Sequence, residues 1–291
     1  FVTHHKHLRE FCQGLVFIRK KGYDSTCYGE PLWLRGNNRF RPDEPDLGNA
    51  NVGRMQHSCT KRVRLFPARP FFVLPFLEVL FMKVLPQQLR LYAVTDRTWL
   101  NGRRLADVVA QAIDGGATFV QLREKCLDEH DLLAEAEELS ALCHFRHVPF
   151  VIDDNVEVAL AAGADGVHVG QSDMAAKRAR ALLGPDKILG VSAHNAAEAL
   201  AAQADGADYL GCGAAFVTGT KLDAHPVTAE TMRAVTAAVN IPVVAIGGID
   251  AANLLQLQGR GLAGVAVVSA IFAQADPCAA SRELYRLAGQ L

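Results

Sequence analysis

Asp153 and Asp154 stand side by side where an apolar run ends, and Asp173 follows the next such run. Three carboxylates with no cysteine or second histidine close by suit Mg2+, which takes few carboxylates and completes its shell with water and a substrate phosphate. They argue against structural zinc. The same residues could instead serve as helix caps, since Asp154 and Asp173 each precede a helical stretch. Three cations, Arg123, Lys125 and Lys221, sit at comparable places on other runs. Beside the acids they make either a solvated rim of ion pairs or the cationic half of a Mg-diphosphate site. Gly247 and Gly248 would let the backbone approach an anion closely, and Ser269 adds hydroxyl and amide donors. No nucleophile with a base beside it is evident, so covalent catalysis has no support.

These residues need elements to position them. Short apolar runs alternate with Ala-rich stretches of helical period from residue 89 to the end. The runs are LRLYAVT (89–95), FVQLR (119–123), PFVID (149–153), GVHVG (166–170), ILGVSA (188–193), YLGCG (209–213), PVVAIG (242–247) and VAVVSA (265–270). Runs apolar on both faces and separated by crossover helices belong to a buried parallel sheet. A quasi-repeat, GGATFV, AGADGVHV, DGADYLG and GLAGVAV, places a glycine at the helix end before a strand, where a left-handed cap is wanted. Eight β/α units predict an α/β fold, a (β/α)8 TIM barrel, with a doubly wound open sheet as the alternative. No G-x-G-x-x-G follows the first run, which removes the usual support for dinucleotide binding. In a barrel the strand carboxyl ends carry the chemistry. Those ends hold Gln121, Arg123, Lys125, Asp153, Asp154, His168, Gln171, Asp173, Ser192, His194, Thr218, Thr220 and Lys221.

The 291 residues are 50% hydrophobic and 21% charged, with net charge −1, which excludes a disordered or collagenous chain and gives no overall footprint for nucleic acid. The average conceals two halves: residues 1–81 carry net +6 and two alanines, residues 82–291 net −7 and 42 alanines. Helix-forming material therefore lies in 82–291, read as the barrel domain, and 1–81 is expected to be a weakly structured extension or a mis-extended start. Met82 opens MKVLPQQLRLYAVTD directly before the first run, where a natural start would fall. The run FFVLPFLEVLFM holds Pro75 and Glu78 and is shorter than the ~20 residues of a membrane span, and no small-x-small cleavage motif follows. Neither membrane nor secretion is expected, and a cytoplasmic protein is. Seven scattered cysteines fit a reducing compartment, with Cys126, Cys143, Cys212 and Cys278 expected as small buried or half-buried hydrophobes. His4, His5 and His7 with Cys12, Cys27 and Cys59 lack metal-ligand spacing.

Taken in order, YAVTD (92–96), VQLREK (120–125), GADGVHVGQSD (163–173), LGVSAH (189–194), TGTK (218–221), IGGI (246–249) and VVSAI (267–271) resemble the thiamine phosphate synthase family. The resemblance covers about residues 88–288 and implies a Mg2+-dependent transferase on a (β/α)8 barrel. It would join 4-amino-5-hydroxymethyl-2-methylpyrimidine diphosphate to 4-methyl-5-(2-phosphooxyethyl)thiazole, releasing pyrophosphate and thiamine phosphate.

Carried over position by position, Gln121 and Ser192 would contact the pyrimidine and His168 would line its pocket. Arg123, Lys125 and Lys221 would hold the diphosphate, and these three with Ser192 would be the catalytic residues. Asp154 and Asp173 would bind Mg2+. Thr218, Thr220, Gly248, Val268 and Ser269 would bind the thiazole phosphate. Asp153, beside the diphosphate, stands where the family usually has Asn; Ala214 and Val217 replace common prolines, and Asn195 replaces a frequent Thr and should cap a helix. The partners implied are small-molecule substrates, with a homo-oligomer allowed and no nucleic acid or membrane. Two alternatives stand beside this reading: a thiazole tautomerase-like enzyme, which shares the barrel without needing diphosphate machinery, and a non-catalytic barrel that binds thiamine phosphates.

Overall fold

Alternation within single strands sets the architecture. In β1 (Leu91–Val94), Tyr92 and Val94 face the barrel interior while Leu91 and Ala93 face the surrounding helices, and all four are buried. The computed structural model describes residues 82–171, 174–217 and 226–291; the expectations for residues 1–81 lie outside the described residues. Seven further strands follow: β2 (Phe119–Leu122), β3 (Phe150–Asp153), β4 (Gly166–Val169), β5 (Ile188–Ala193), β6 (Tyr209–Gly213), β7 (Val243–Ile246) and β8 (Gly264–Val267). Each pairs in parallel with the next, and β8 returns to β1 with Ala266 opposite Tyr92. The sheet is thus a closed eight-stranded barrel, and the open-sheet alternative falls.

The helices are α1 (Leu105–Asp114), α2 (Glu129–Phe145), α3 (Val156–Ala161), α4 (Ala176–Leu183), α5 (Ala196–Ala204), α6 (Ala229–Ala238), α7 (Ser269–Phe272) and α8 (Pro277–Ala288). The longer helices turn an apolar stripe inward; in α1 the stripe is Leu105, Val108, Val109 and Ala112, the spacing of one helical face. Two of the repeat glycines, Gly163 (φ 68°) and Gly206 (φ 96°), turn the chain from helix to strand in a conformation that a Cβ would strain. Asn195 caps α5 as expected, its side chain accepting the Glu198 N–H at 3.0 Å. Asn195→Ala should lower unfolding free energy by about 1 kcal/mol, read as a lower urea midpoint at unchanged slope. An unchanged midpoint would refute the cap.

Two expectations of the sequence shift here. After β7 the described chain forms a short 3-10 turn, Leu254–Leu257, instead of an α-helix. Asn253 is occupied in tying the preceding loop: it accepts from Asp250 N at 3.0 Å and donates to Gly248 O at 2.7 Å. The eighth strand ends at Val267 and Ser269 already begins α7, so the expected strand over 265–270 covers a strand-to-helix junction. Inside the barrel, the rings of Tyr92, Phe119 and Tyr209 meet edge to face at 4.7, 5.9 and 5.5 Å between centroids. Such pairs add about 0.5–1.5 kcal/mol each beyond area burial, and they fill the barrel axis below the strand carboxyl ends. Among the described residues no helix is long and apolar enough to cross a membrane.

Candidate active site

The strand carboxyl ends open onto a cavity of about 870 Å³. Its floor is polar. Gln121 on β2, His168 on β4 and Ser192 on β5 all point inward, because each lies in phase with the interior residues of its strand. His168 Nε2 meets Ser192 Oγ at 3.0 Å, and Gln171 Nε2 donates to Ser192 O at 2.6 Å, which holds the end of β5 against the β4 loop.

One side of the mouth gathers charge. Lys125 Nζ lies 2.6 Å from Asp154 Oδ2 and 3.0 Å from Asp153 Oδ2, and Arg123 Nε lies 3.7 Å from Asp153 Oδ2. The loop after β2 is built to present Lys125. Glu124 Oε1 accepts the backbone N–H groups of Lys125 and Cys126 at 2.8 Å each, while Glu124 Oε2 accepts from Arg97 Nε at 2.7 Å. Burial pushes the Glu124 carboxyl up, but the Arg97 bond and the two backbone donors outweigh it and leave the group below its ordinary value.

At the end of β3, Asp154 adopts φ 61°, and its N–H donates to His168 O at 2.8 Å. Aspartate tolerates this left-handed conformation better than most residues. The cap of α3 is Asn155, whose side chain accepts from Val158 N at 2.9 Å, so the helix-cap alternative for Asp154 does not hold. Burial and the neighbouring Asp154 charge hold the Asp153 carboxyl above the ordinary range, and attraction to Lys125 and Arg123 only partly offsets them. Burial alone would lower the Lys125 ammonium, yet its bonds to Asp154 and Asp153 keep it raised and therefore charged. Around Asp153, burial and the Asp154 charge outweigh the ammonium at 3.0 Å and the guanidinium at 3.7 Å.

The opposite side is lined by Gly247, Gly248, Val268 and Ser269. Gly248 has φ 65°, and a Cβ there would sit 2.5 Å from Val217 O, so glycine is required where the β7 loop crosses the segment after β6. Ser269 opens α7, whose first backbone N–H groups have no carbonyl within the helix to bond.

Ten expected residues, Gln121, Arg123, Lys125, Asp153, Asp154, His168, Ser192, Gly248, Val268 and Ser269, thus line one cavity. Asp173, Thr218, Thr220 and Lys221 lie outside the described residues. Two residues were missed: Tyr92, which lines the floor, and Tyr209, buried beneath it, whose hydroxyl meets that of Tyr92 at 2.8 Å. Their inward phase was readable, since an aromatic hydroxyl inside a barrel needs a partner. The cysteines follow expectation except Cys126, which is exposed because it sits on the loop held by Glu124. Burial pushes the Cys143 thiol up to about 12 and the Cys212 thiol up to about 11, so both are inert packing groups. Asp128, His130 and Asp131 cluster on the exposed start of α2, where Asp128 is occupied as the cap.

Residues 91–271 match the model of the family described as thiamine monophosphate synthase. The thiamine-phosphate synthase of Ruminiclostridium cellulolyticum is 47% identical over 197 residues, 68% of this chain and 94% of that protein. The thiamine-phosphate synthase of Chloroflexus aurantiacus is 51% identical over 199 residues, 68% of this chain and 92% of the relative. Among solved structures, a thiamine phosphate pyrophosphorylase from Pyrococcus furiosus superposes with a TM-score of 0.66 at 37% identity, covering 71% of this chain and 98% of the other.

Proposed function

The chain belongs to the thiamine monophosphate synthase family, and from that premise we propose that its barrel mouth joins hydroxymethylpyrimidine diphosphate to thiazole phosphate, yielding thiamine phosphate and pyrophosphate. The observation that carries this reading is a single cavity with an ion-paired Lys125–Asp153–Asp154 group on one side and the Gly248–Ser269 loops on the other. Such a cavity can take a diphosphate and a monophosphate at once, with a flat ring between them over Gln121, His168 and Ser192. A tautomerase would have no use for the Arg123 and Lys125 side.

Asp154 turns its carboxylate into the cavity mouth, 2.6 Å from Lys125 Nζ, and offers oxygen donors only, the donor chemistry that fits a hard divalent cation. Asp154, with Asp173 from the neighbouring loop, would hold Mg2+, and the bound ion would supply neutralisation of the diphosphate. The remaining steps belong to the chain. Arg123, Lys125 and Lys221 grip the diphosphate oxygens, and a Lys125 that stays protonated meets the negative charge that builds as the group departs. The bond from the pyrimidine methylene carbon to the bridging oxygen breaks, its electron pair leaving with pyrophosphate. The thiazole nitrogen lone pair then forms the new C–N bond, held in line by phosphate contacts to Thr218, Thr220, Gly248, Val268 and Ser269. No protein nucleophile or base is needed: the departing pyrophosphate takes its own electron pair, and Ser192, whose Oγ lies 3.0 Å from His168 Nε2, serves as a pyrimidine contact. The same reading makes the protein a cytoplasmic enzyme whose partners are these small molecules.

Calorimetric titration tests it. The pyrimidine diphosphate should bind at least about tenfold more tightly with Mg2+ than without, and thiazole phosphate should bind in the presence of pyrophosphate. Failure of both ligands to bind would end the proposal.

Asp153 supplies a prediction of its own. A carboxylate repels a diphosphate where an amide can donate to it, so Asp153→Asn should retain or improve affinity for the pyrimidine diphosphate, by up to about tenfold, and relax the Mg2+ requirement. The raised carboxyl means that the folded protein binds this proton more tightly than the unfolded chain does, so ionised Asp153 opposes folding. The gain in Tm from Asp153→Asn is therefore full near neutral pH and vanishes below about pH 4, the unfolded-state value. A collapse of turnover in Asp153→Asn would instead make Asp153 a metal ligand.

A further inference from the structure

Five side chains form one continuous line of hydrogen bonds that runs along the cavity floor and, at Tyr209, beneath it. Gln121 Nε2 donates to Tyr92 Oη at 3.0 Å, Tyr92 and Tyr209 hydroxyls meet at 2.8 Å, Tyr209 Oη meets His168 Nδ1 at 3.0 Å, and His168 Nε2 meets Ser192 Oγ at 3.0 Å. Gln121, His168 and Ser192 have roles in the reading above; the two tyrosines that connect them have none. Tyr92 is 2% exposed and Tyr209 0%, so their hydroxyl protons must be used within this line. The barrel is cut to admit it. A Cβ on Gly190 would lie 2.3 Å from Tyr209 Oη and 2.5 Å from His168 Nδ1, and one on Gly211 would lie 3.2 Å from His168 Cε1.

Counting protons gives the line a direction. With the Gln121 amide donating to Tyr92, the tyrosine's single proton passes to Tyr209, and that of Tyr209 passes to His168 Nδ1. A ring nitrogen that accepts carries no proton, so the imidazole is neutral with its proton on Nε2, where it donates to Ser192 Oγ. The Ser192 hydroxyl proton is then directed into the cavity that Ser192 lines. Sending the Tyr209 proton the other way would leave the Tyr92 proton facing the Gln121 NH2 group. Turning the Gln121 amide end for end reverses every bond and places the proton on Nδ1.

We propose that Tyr92 and Tyr209 are positioning residues that lock His168 as the Nε2–H tautomer and so make Ser192 a donor, selecting a pyrimidine whose facing ring nitrogen is an unprotonated acceptor over one that carries a ring N–H. The selectivity half rests on the pyrimidine site argued above; the tautomer half does not. An aminopyrimidine satisfies this floor, whereas its 4-oxo counterpart brings a second donor against the Ser192 proton and leaves both buried and unpaired.

Two measurements on the full chain separate the halves. Long-range 15N–1H correlation spectra of the ligand-free protein, with the His168 signal identified by its loss in His168→Gln, should show an unprotonated Nδ1 and a protonated Nε2. In Tyr209→Phe the same signal should move to a tautomer mixture. A protonated Nδ1 in the wild type, or an unmoved signal in Tyr209→Phe, overturns the proposal, and the wild-type spectrum decides the direction even where the variant does not fold. In the kinetic arm, Tyr209→Phe should raise KM for the aminopyrimidine diphosphate about tenfold and leave KM for thiazole phosphate within twofold. The 4-oxo diphosphate should compete at least about 100-fold more weakly than the amino compound with the wild type, and that ratio should shrink in Tyr209→Phe. Equal competition by the two pyrimidines removes the selectivity claim. Absence of any turnover in the wild type would count against the enzyme reading and leave the spectroscopic result standing.

Discussion

Asp154→Ala should lower turnover by about 100- to 1000-fold at limiting Mg2+, the size of effect expected when a charge-stabilising contact to the reacting group is lost. The side chain lies at the cavity mouth against Lys125 and is not a helix cap, so the loss should come from ligand handling and not from the fold. Asp154 holds φ 61°, a conformation that costs an L residue such as alanine roughly 1–2 kcal/mol and that aspartate and asparagine tolerate better, so some loss of stability accompanies it. Asp154→Asn keeps the backbone comfortable and removes only the charge. It should show the same loss of Mg2+-dependent rate at nearly unchanged Tm. Initial rates across a Mg2+ titration check this, and a rate within twofold of wild type at limiting Mg2+ would withdraw Asp154 from the metal.

Lys125→Ala should be nearly as damaging by a different route. The ammonium touches both carboxylates, at 2.6 and 3.0 Å, and its removal leaves Asp153 and Asp154 facing a diphosphate with Arg123 as the described cation at 3.7 Å from Asp153. We expect KM for the pyrimidine diphosphate to rise about tenfold and kcat to fall about 100-fold, since the cation acts on the bound substrate and on the departing group alike. Lys125→Arg should recover only part of this, because a planar guanidinium cannot meet two carboxylates at the same point as an ammonium. Kinetics of Lys125→Ala within twofold of wild type would return the residue to a solvated rim.

The barrel was legible because its strands are buried on both faces, so runs such as ILGVSA stand out from the Ala-rich helices with the bounds the structure gives them. The 3-10 turn after β7 was not, because Asn253 diverts that segment into a loop tie that only the folded geometry shows. At the site, residue type was enough for Arg123, Lys125, Asp153 and Asp154, since charged groups at strand carboxyl ends stand out against an apolar background. It was not enough to remove the helix-cap alternative for Asp154; that needed Asn155 to be seen doing the capping. Tyr92 and Tyr209 passed as strand hydrophobes because each sits in an apolar run, and the partners of their hydroxyls, each other, Gln121 and His168, come from other strands. Asp173 and Lys221 rest on sequence resemblance, and their place in the cavity is a proposal.

Formation of product is the most direct test of the central claim. Purified protein given both substrates and Mg2+ should release thiamine phosphate and pyrophosphate in equal amounts, quantified together by chromatography and mass, with the rate falling to near background when the metal is chelated. Pyrophosphate release without thiamine phosphate, or no consumption of either substrate under conditions where both bind, would contradict the assignment and leave a binding barrel.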